Sequence, residues 1–137
     1  MDGKRYVTGS IVVLIFLFIF EMLYRGIALK GVYEDAAVLL RSDIDFGNLV
    51  FWAILGYVIL AFGFCYIFVK GYEGGGLGEG FRFGLVAGIT FGTATTLIGY
   101  AIYAIPTSLA VAWGIGYPVE MTIAGLIIAA IYRRRSF

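Results

Sequence analysis

The chain has no histidine, one cysteine, two prolines and few charged residues. Without histidines, and with Cys65 alone, it lacks the side chains that most often bind zinc, copper, haem and iron–sulfur clusters. We therefore expect no metal or other cofactor. A single cysteine also excludes a disulfide within the chain. Charged residues make up 14% of the 137 residues, against about 25% in soluble domains. Because no nucleophile–base pair stands out, we expect no enzymatic activity.

Apolar residues are what the chain has in abundance. They account for 61% of the residues, and the mean hydropathy is +0.95, whereas soluble domains are about 45–50% apolar. Four apolar segments, at residues 7–28, 48–69, 81–104 and 106–132, each reach the roughly 20 residues that a helix needs to cross a bilayer. The sequence predicts an all-α integral membrane protein, a four-transmembrane-helix bundle in one membrane domain (residues 1–137).

The basic residues are distributed unevenly between the two ends of the predicted bundle. With four spans, the N-terminus, the loop at 70–80 and the C-terminus share one side, which carries seven of the ten Lys and Arg residues: Lys4, Arg5, Lys70, Arg82, Arg133, Arg134 and Arg135. Cytoplasmic loops are enriched in such residues. We predict a bacterial or archaeal plasma membrane with both termini in the cytoplasm. The C-terminal arginines fit an anchor against anionic lipid, and we expect no nucleic-acid partner.

The two longer loops have different patterns. The outer loop (29–47) alternates apolar residues with Glu34, Asp35 and Arg41. This pattern fits either a short helix lying in the membrane interface or a loop packed over the bundle. Ser42 or Asp45 is a candidate cap for the second span. The inner loop (70–80) contains six glycines but lacks the Lys-Ser/Thr pair of a phosphate-binding loop, so it predicts a flexible turn.

A row of glycines marks the third span. Residues four apart lie on one face of a helix, and this spacing relates Gly80, Gly84, Gly88 and Gly92, with Thr96 continuing the row. Such a glycine zipper predicts a groove in which another helix backbone packs closely, as in lipid-embedded bundles. The partner stays open: the second span, with Ala53, Gly56 and Gly63 on one face, the fourth span, or another subunit. Residues 11–20 have no such small residues, and we expect them to face lipid.

Two glutamates lie inside the predicted spans, where charged side chains are costly and suggest function. Glu21 has Arg25 one helical turn later, in the favourable order for an ion pair. Glu120 lies near the middle of the fourth span, after Gly114, Gly116 and Pro118. Proline removes a helix hydrogen bond, so we predict a kink or hinge there. In the alternative, the helix begins at Pro118, and Glu120 lies in its first turn.

These intramembrane polar residues predict one shared cluster. Glu21, Arg25 and Glu120 fall in the outer half or near the centre of the bundle, and Tyr24, Tyr100 or Tyr117 could join them. The hypothesis fails if the two glutamates face different sides of the bundle. The threonines of the third span, at 90, 93, 95 and 96, are expected to return their hydrogen bonds to their own helix.

Two functions remain compatible with the sequence. The first is a structural or accessory subunit of a larger membrane assembly, with the lipid bilayer and either itself or other membrane protein subunits as partners. We favour it because helix-packing surface is abundant and polar groups are few. The alternative is a small oligomeric transporter or channel that uses Glu120, together with Glu21, for ion or proton coupling.

Overall fold

The computed structural model describes residues 1–133, and within that range its regular secondary structure is all helical, without a strand. The four long helices are α1 (Gly3–Ala28), α2 (Asp43–Gly71), α3 (Gly76–Ile102) and α4 (Thr107–Tyr132). Each is long and apolar enough to cross a membrane, as an integral membrane location requires. Two of the predicted cytoplasmic arginines, Arg134 and Arg135, lie outside the described residues.

Polar caps set where the first two long helices begin. The Asp2 side chain accepts a hydrogen bond from the backbone N–H of Arg5 at 3.1 Å, and Ser42 Oγ accepts one from Asp45 N–H at 3.2 Å. Such side chains satisfy backbone donors that a helix start leaves without partners. Helices α1 and α2 therefore start before the apolar segments at 7 and 48, and Ser42, rather than Asp45, is the cap of α2.

The glycine-rich loop between α2 and α3 is a turn held by hydrogen bonds to one side chain, and its flexibility stays a prediction. The Glu79 carboxylate accepts hydrogen bonds from the backbone N–H groups of Glu73 and Gly75, both at 2.7 Å. Gly74 and Gly76 have φ of 96° and 63°, values that a residue with a Cβ rarely adopts. The loop thus depends on one carboxylate and two glycine conformations.

The loop between α1 and α2 contains the predicted short helix, at Lys30–Asp35, followed by a 3-10 turn at Ala37–Leu39. We call Lys30–Asp35 the loop helix. Trp113 Nε1–H of α4 donates to the Tyr33 hydroxyl at 2.6 Å, which holds the loop helix against the bundle. Its position at a membrane interface stays a prediction.

Helix α4 is the central element of the bundle. It packs against α1 and, along most of its length, against α3, and it touches α2 less extensively. Helix α1 packs against α2 and α4. The expectation that residues 11–20 face lipid is wrong for Val13 and Leu17, whose side chains are fully buried. Gly9, on the same face, lies against Ile128 of α4, so α1 also uses a small residue for close packing.

Helices α2 and α3 meet through aromatic rings at the end of the bundle that carries the termini. The ring centroid of Phe83 lies 4.8 Å from that of Phe64 and 5.4 Å from that of Phe68. Farther from the termini, the two helices leave an open space between them. That space bounds the candidate site on one side.

Candidate functional site in the helix bundle

The glycine row of α3 faces α4 of the same chain. A methyl group built on Gly84 would lie 2.7 Å from Thr122 Cα, and one on Gly88 would lie 2.9 Å from the Tyr117 carbonyl oxygen. Distances under 3.0 Å do not occur for real Cβ atoms. Gly80 and Gly92 meet α4 equally closely. Because most of the opposing atoms are backbone, the two helices approach at a distance that only glycine permits here.

The second span does not fill this groove. Methyl groups built on Gly56 and Gly63 of α2 would meet nothing within 4 Å. Thr96, at the end of the row, is buried, and its Oγ1 donates to the Gly92 carbonyl oxygen at 2.8 Å. Of the partners that the sequence left open, the structure places the fourth span in the groove.

Helix α4 runs without interruption through Pro118. The alternative in which the helix begins at Pro118 is therefore wrong, and Glu120 lies in mid-helix. Pro118 has no N–H to donate to the Gly114 carbonyl oxygen four residues earlier. Thr93 Oγ1 of α3 donates to that oxygen instead, at 2.7 Å. Thr93 thus bonds across helices and not to its own, while the predicted kink stays a prediction.

Two wide π-helical turns interrupt the α-helical pattern near this region. One is Tyr24–Ala28 in α1, which contains Arg25, and the other is Gly88–Thr93 in α3, which ends at Thr93. Such turns are frequent at functional sites. The Tyr24 hydroxyl donates to the Ala112 carbonyl oxygen of α4 at 2.6 Å. The half of α4 farther from the termini is thereby bonded to both α1 and α3.

Helices α1, α2 and α4 line a pocket of about 240 Å³ that is open on one side, which we call the polar cavity. Glu21, Arg25 and Glu120 all line it, and the rest of its wall is formed by Ala53, Gly56, Tyr57, Leu60 and Tyr117. The two glutamates therefore face the same space. Of the tyrosines named as candidates, Tyr117 lines the cavity, whereas Tyr24 bonds to Ala112 and the Tyr100 hydroxyl pairs with Thr107 Oγ1.

Glu120 is the most buried charged residue of the polar cavity, with 2% of its surface exposed. Its Oε1 has no hydrogen-bond partner among residues 1–133. Buried polar atoms almost always have a partner, so an exception marks a candidate functional atom. An unpaired carboxylate is also costly to bury. Glu120 Oε1 is thus the atom of this site that is open to a proton or a ligand.

Glu21 and Arg25 form the ion pair that their spacing predicts, between Oε2 and Nε. The Glu21 side chain is 12% exposed and that of Arg25 is 43% exposed. The Arg25 guanidinium also lies over the Tyr33 ring, 5.5 Å from its centroid. Because this pair is neutral as a unit, the net charge of the cavity depends on Glu120.

Tyr33 lies outside the long helices, and its ionisation is shifted by its surroundings. Burial raises the pKa of the Tyr33 hydroxyl above its usual value. The hydrogen bond from Trp113 and the charge of Arg25 oppose this shift, and burial prevails. The neutral Tyr33 hydroxyl can accept the hydrogen bond from Trp113 and still has a proton with which to donate one.

Tyr57, which lines the polar cavity from α2, was not predicted as a site residue. Its ring centroid lies 5.0 Å from that of Phe18 in α1. A tyrosine in the middle of a span could have been noticed, since buried tyrosine hydroxyls usually need a polar partner. The bond of Thr93 could have been inferred from the missing N–H of Pro118, which leaves a carbonyl oxygen without its helical donor.

A second space, which we call the apolar groove, lies between α2 and α3 and measures about 420 Å³. Phe64 and Phe83 contribute aromatic rings to its wall. Leu60 and Tyr117 line both the groove and the polar cavity, so these two side chains stand at the border between them. The remaining wall is formed by Ile59, Gly63, Ile67, Ala87, Phe91, Gly92 and Met121.

No group of three or more His, Cys, Asp or Glu side chains that could hold a metal ion occurs in the part of the chain that the structure describes. No protein-family model, curated protein or solved structure matches this chain. The chemistry open to the polar cavity is that of two carboxyl groups, one guanidinium and two phenols.

Proposed function

We propose that the protein is a small membrane transporter that exchanges a proton for a monovalent cation at Glu120. The observation that carries this proposal is the buried Glu120 carboxyl, whose Oε1 lacks a partner among residues 1–133 while it lines a cavity with Glu21 and Arg25. Intramembrane carboxyls of this kind mark ion and proton pathways. Of the two functions that the sequence left open, this is the alternative.

The charges of the polar cavity support exchange over simple binding. With Glu120 ionised, two carboxylates and the Arg25 guanidinium sum to −1. One proton or one monovalent cation makes the cavity neutral, whereas both together, or a divalent cation, leave a surplus positive charge. Electrostatic interactions are strong where water is scarce. Entry of the cation should therefore release the proton, and return of the proton should release the cation.

The glycine row has a supporting role in this proposal. Gly88 and Gly92 pack on the backbone of Pro118 and on the side chain of Tyr117, next to the polar cavity. Close packing between α3 and α4 fixes the depth at which Tyr117 and Glu120 stand. Gly114, Gly116 and Pro118 form the predicted hinge, because the chain there lacks a backbone hydrogen bond within the helix. Movement at this hinge would open the cavity alternately to the two sides of the membrane.

The accessory-subunit function stays a second prediction. Its strongest support in the sequence was a glycine groove able to receive a partner helix, and α4 of the same chain occupies that groove. Native mass spectrometry of the protein from its own membrane tests it. Unrelated subunits in a fixed ratio would favour the accessory function, and the protein alone or as a homo-oligomer would favour transport.

Proton movement in liposomes tests the transport proposal. The protein is reconstituted with a pH-sensitive dye inside, and gradients of Na⁺, K⁺ or tetramethylammonium are imposed one at a time. We expect at least one cation to drive protons the opposite way, and Glu120→Gln to abolish the flux. Glu34→Gln is the matched control, since Glu34 is exposed on the loop helix. Absence of flux with every cation, or normal flux in Glu120→Gln, would contradict the proposal.

A further inference from the structure

The apolar groove adjoins the polar cavity, and this adjacency suggests which cation is carried. We propose that the substrate is a lipophilic monovalent amine, with its charged nitrogen in the polar cavity and its apolar body in the groove. This inference rests on the proposed function and specifies its substrate class. It also assigns an entry route, sideways from the bilayer between α2 and α3.

The polar cavity suits an ammonium group. Glu120 Oε1 has no partner among the described residues and supplies the opposite charge. The walls carry the rings of Tyr57 and Tyr117, and the face of a tyrosine ring attracts cations. A cavity of about 240 Å³ has room for a substituted ammonium. An anion is disfavoured, because Arg25 is already paired with Glu21.

The groove suits an apolar body. Its wall is made of aliphatic and aromatic side chains and two glycines, with Tyr117 at its border with the polar cavity. At its mouth, Ile59 and Phe91 are 64% and 68% exposed, so the groove opens toward the lipid side of the bundle. Lipid tails are as apolar as this wall. The apolar body of the amine can therefore pass from lipid into the groove at little cost in free energy. The affinity comes from its charged nitrogen, which binds beside Glu120.

Tyr117 and Leu60 stand where the two spaces meet. A molecule with its nitrogen beside Glu120 must direct its apolar substituents past these two side chains into the groove. Tetramethylammonium has no such body and needs the polar cavity alone. The two kinds of amine should thus respond differently when the groove is filled by mutation.

Gly63 offers a way to fill the groove. It lines the groove, and a Cβ built on it meets nothing within 4 Å, so Gly63→Phe is the substitution chosen to fill it. Gly47→Phe is the matched control. Gly47 lies on the same helix, its added Cβ also meets nothing within 4 Å, and it lines neither space.

Equilibrium binding in lipid nanodiscs is the test, with radiolabelled benzyltrimethylammonium and tetramethylammonium as probes. We expect both amines to bind the wild-type protein and Glu120→Gln to weaken both. Gly63→Phe should weaken benzyltrimethylammonium at least tenfold and leave tetramethylammonium unchanged, and Gly47→Phe should change neither. Retained tetramethylammonium binding shows that Gly63→Phe is folded. Gly63→Leu, with a smaller side chain, replaces it if that binding is lost.

The outcomes that overturn the two proposals are different. If Gly63 variants that still bind tetramethylammonium bind benzyltrimethylammonium as tightly as the wild type does, the groove is not the site of the apolar body. If only tetramethylammonium or inorganic cations bind and drive protons, the substrate class is wrong and proton–cation exchange stands. If no cation binds or moves protons, the proposed function fails, and the substrate class fails with it.

Discussion

The close contact of α3 with α4 at Gly84 predicts that Gly84→Ala destabilises the protein. The new Cβ would lie 2.7 Å from Thr122 Cα and 2.8 Å from the Met121 carbonyl carbon, whereas ordinary contact begins at 3.4 Å. These are backbone atoms, so no side-chain rotation relieves the overlap. Helices α3 and α4 must move apart at this point, because the Met121 carbonyl group and Thr122 Cα both lie too close to the new Cβ. Overpacking of this kind costs about 1–3 kcal/mol. At the middle of that range, the folded-to-unfolded ratio falls about 30-fold.

Unfolding by SDS titration in mixed micelles measures this change as a difference in the free energy of unfolding. Gly63→Ala is the matched control, because a Cβ there meets nothing within 4 Å. Alanine also favours helix over glycine, so the control should be neutral or slightly stabilised. If Gly84→Ala and Gly63→Ala gave the same free energy within about 0.5 kcal/mol, the close approach of α3 to α4 would be refuted.

Three further predictions concern single polar contacts. Thr93→Val removes the hydroxyl that donates to the Gly114 carbonyl oxygen. SDS titration should show that the free energy of unfolding falls by about 0.6 kcal/mol, a value typical of hydrogen bonds between membrane helices. Glu79→Ala removes the acceptor that organises the glycine-rich loop, and limited proteolysis should cut that loop faster. Burial raises the pKa of Tyr33, so the folded state holds this proton at a pH where the unfolded chain has lost it. Stability measured against pH should therefore fall as the pH rises above about 10.

Each of these has a control and a contrary result. Thr93→Ser keeps a hydroxyl and should restore most of the stability, and equal stability of the Val and Ser variants would count against the bond. Glu73→Ala keeps the backbone N–H that donates to the Glu79 carboxylate. Equally fast cleavage of Glu73→Ala and Glu79→Ala would therefore contradict the role of Glu79. Tyr33→Phe should be less sensitive to alkaline pH than the wild type, and an unchanged pH profile would show that Tyr33 is not responsible.

The helical segments and the glycine row follow from the sequence, because hydropathy and spacing are local properties. Which helix fills the glycine groove is not local. It depends on how Gly125 of α4 meets Gly80, each lying against the other's carbonyl group. One signal was available: only residues 103–106 separate α3 from α4, and short connections favour antiparallel neighbours.

The candidate site could be predicted only in part. Spacing alone pairs Glu21 with Arg25, and the cost of exposing a charge to lipid favours an inward-facing Glu120. Their meeting in one cavity depends on the rotation of α1 and α4 about their axes, which the buried Val13 and Leu17 set for α1. Tyr57 enters from a third helix, and no local pattern relates it to Glu120.

The central claim is that a cation replaces a proton on Glu120, and infrared difference spectroscopy tests it most directly. Spectra of the wild-type protein with and without benzyltrimethylammonium should differ by the loss of one protonated carboxyl band as the cation binds. The loss should be absent in Glu120→Gln and present in Glu34→Gln. If the cation binds to the wild type and no protonated carboxyl band disappears, or if the loss persists in Glu120→Gln, Glu120 does not exchange a proton for the cation.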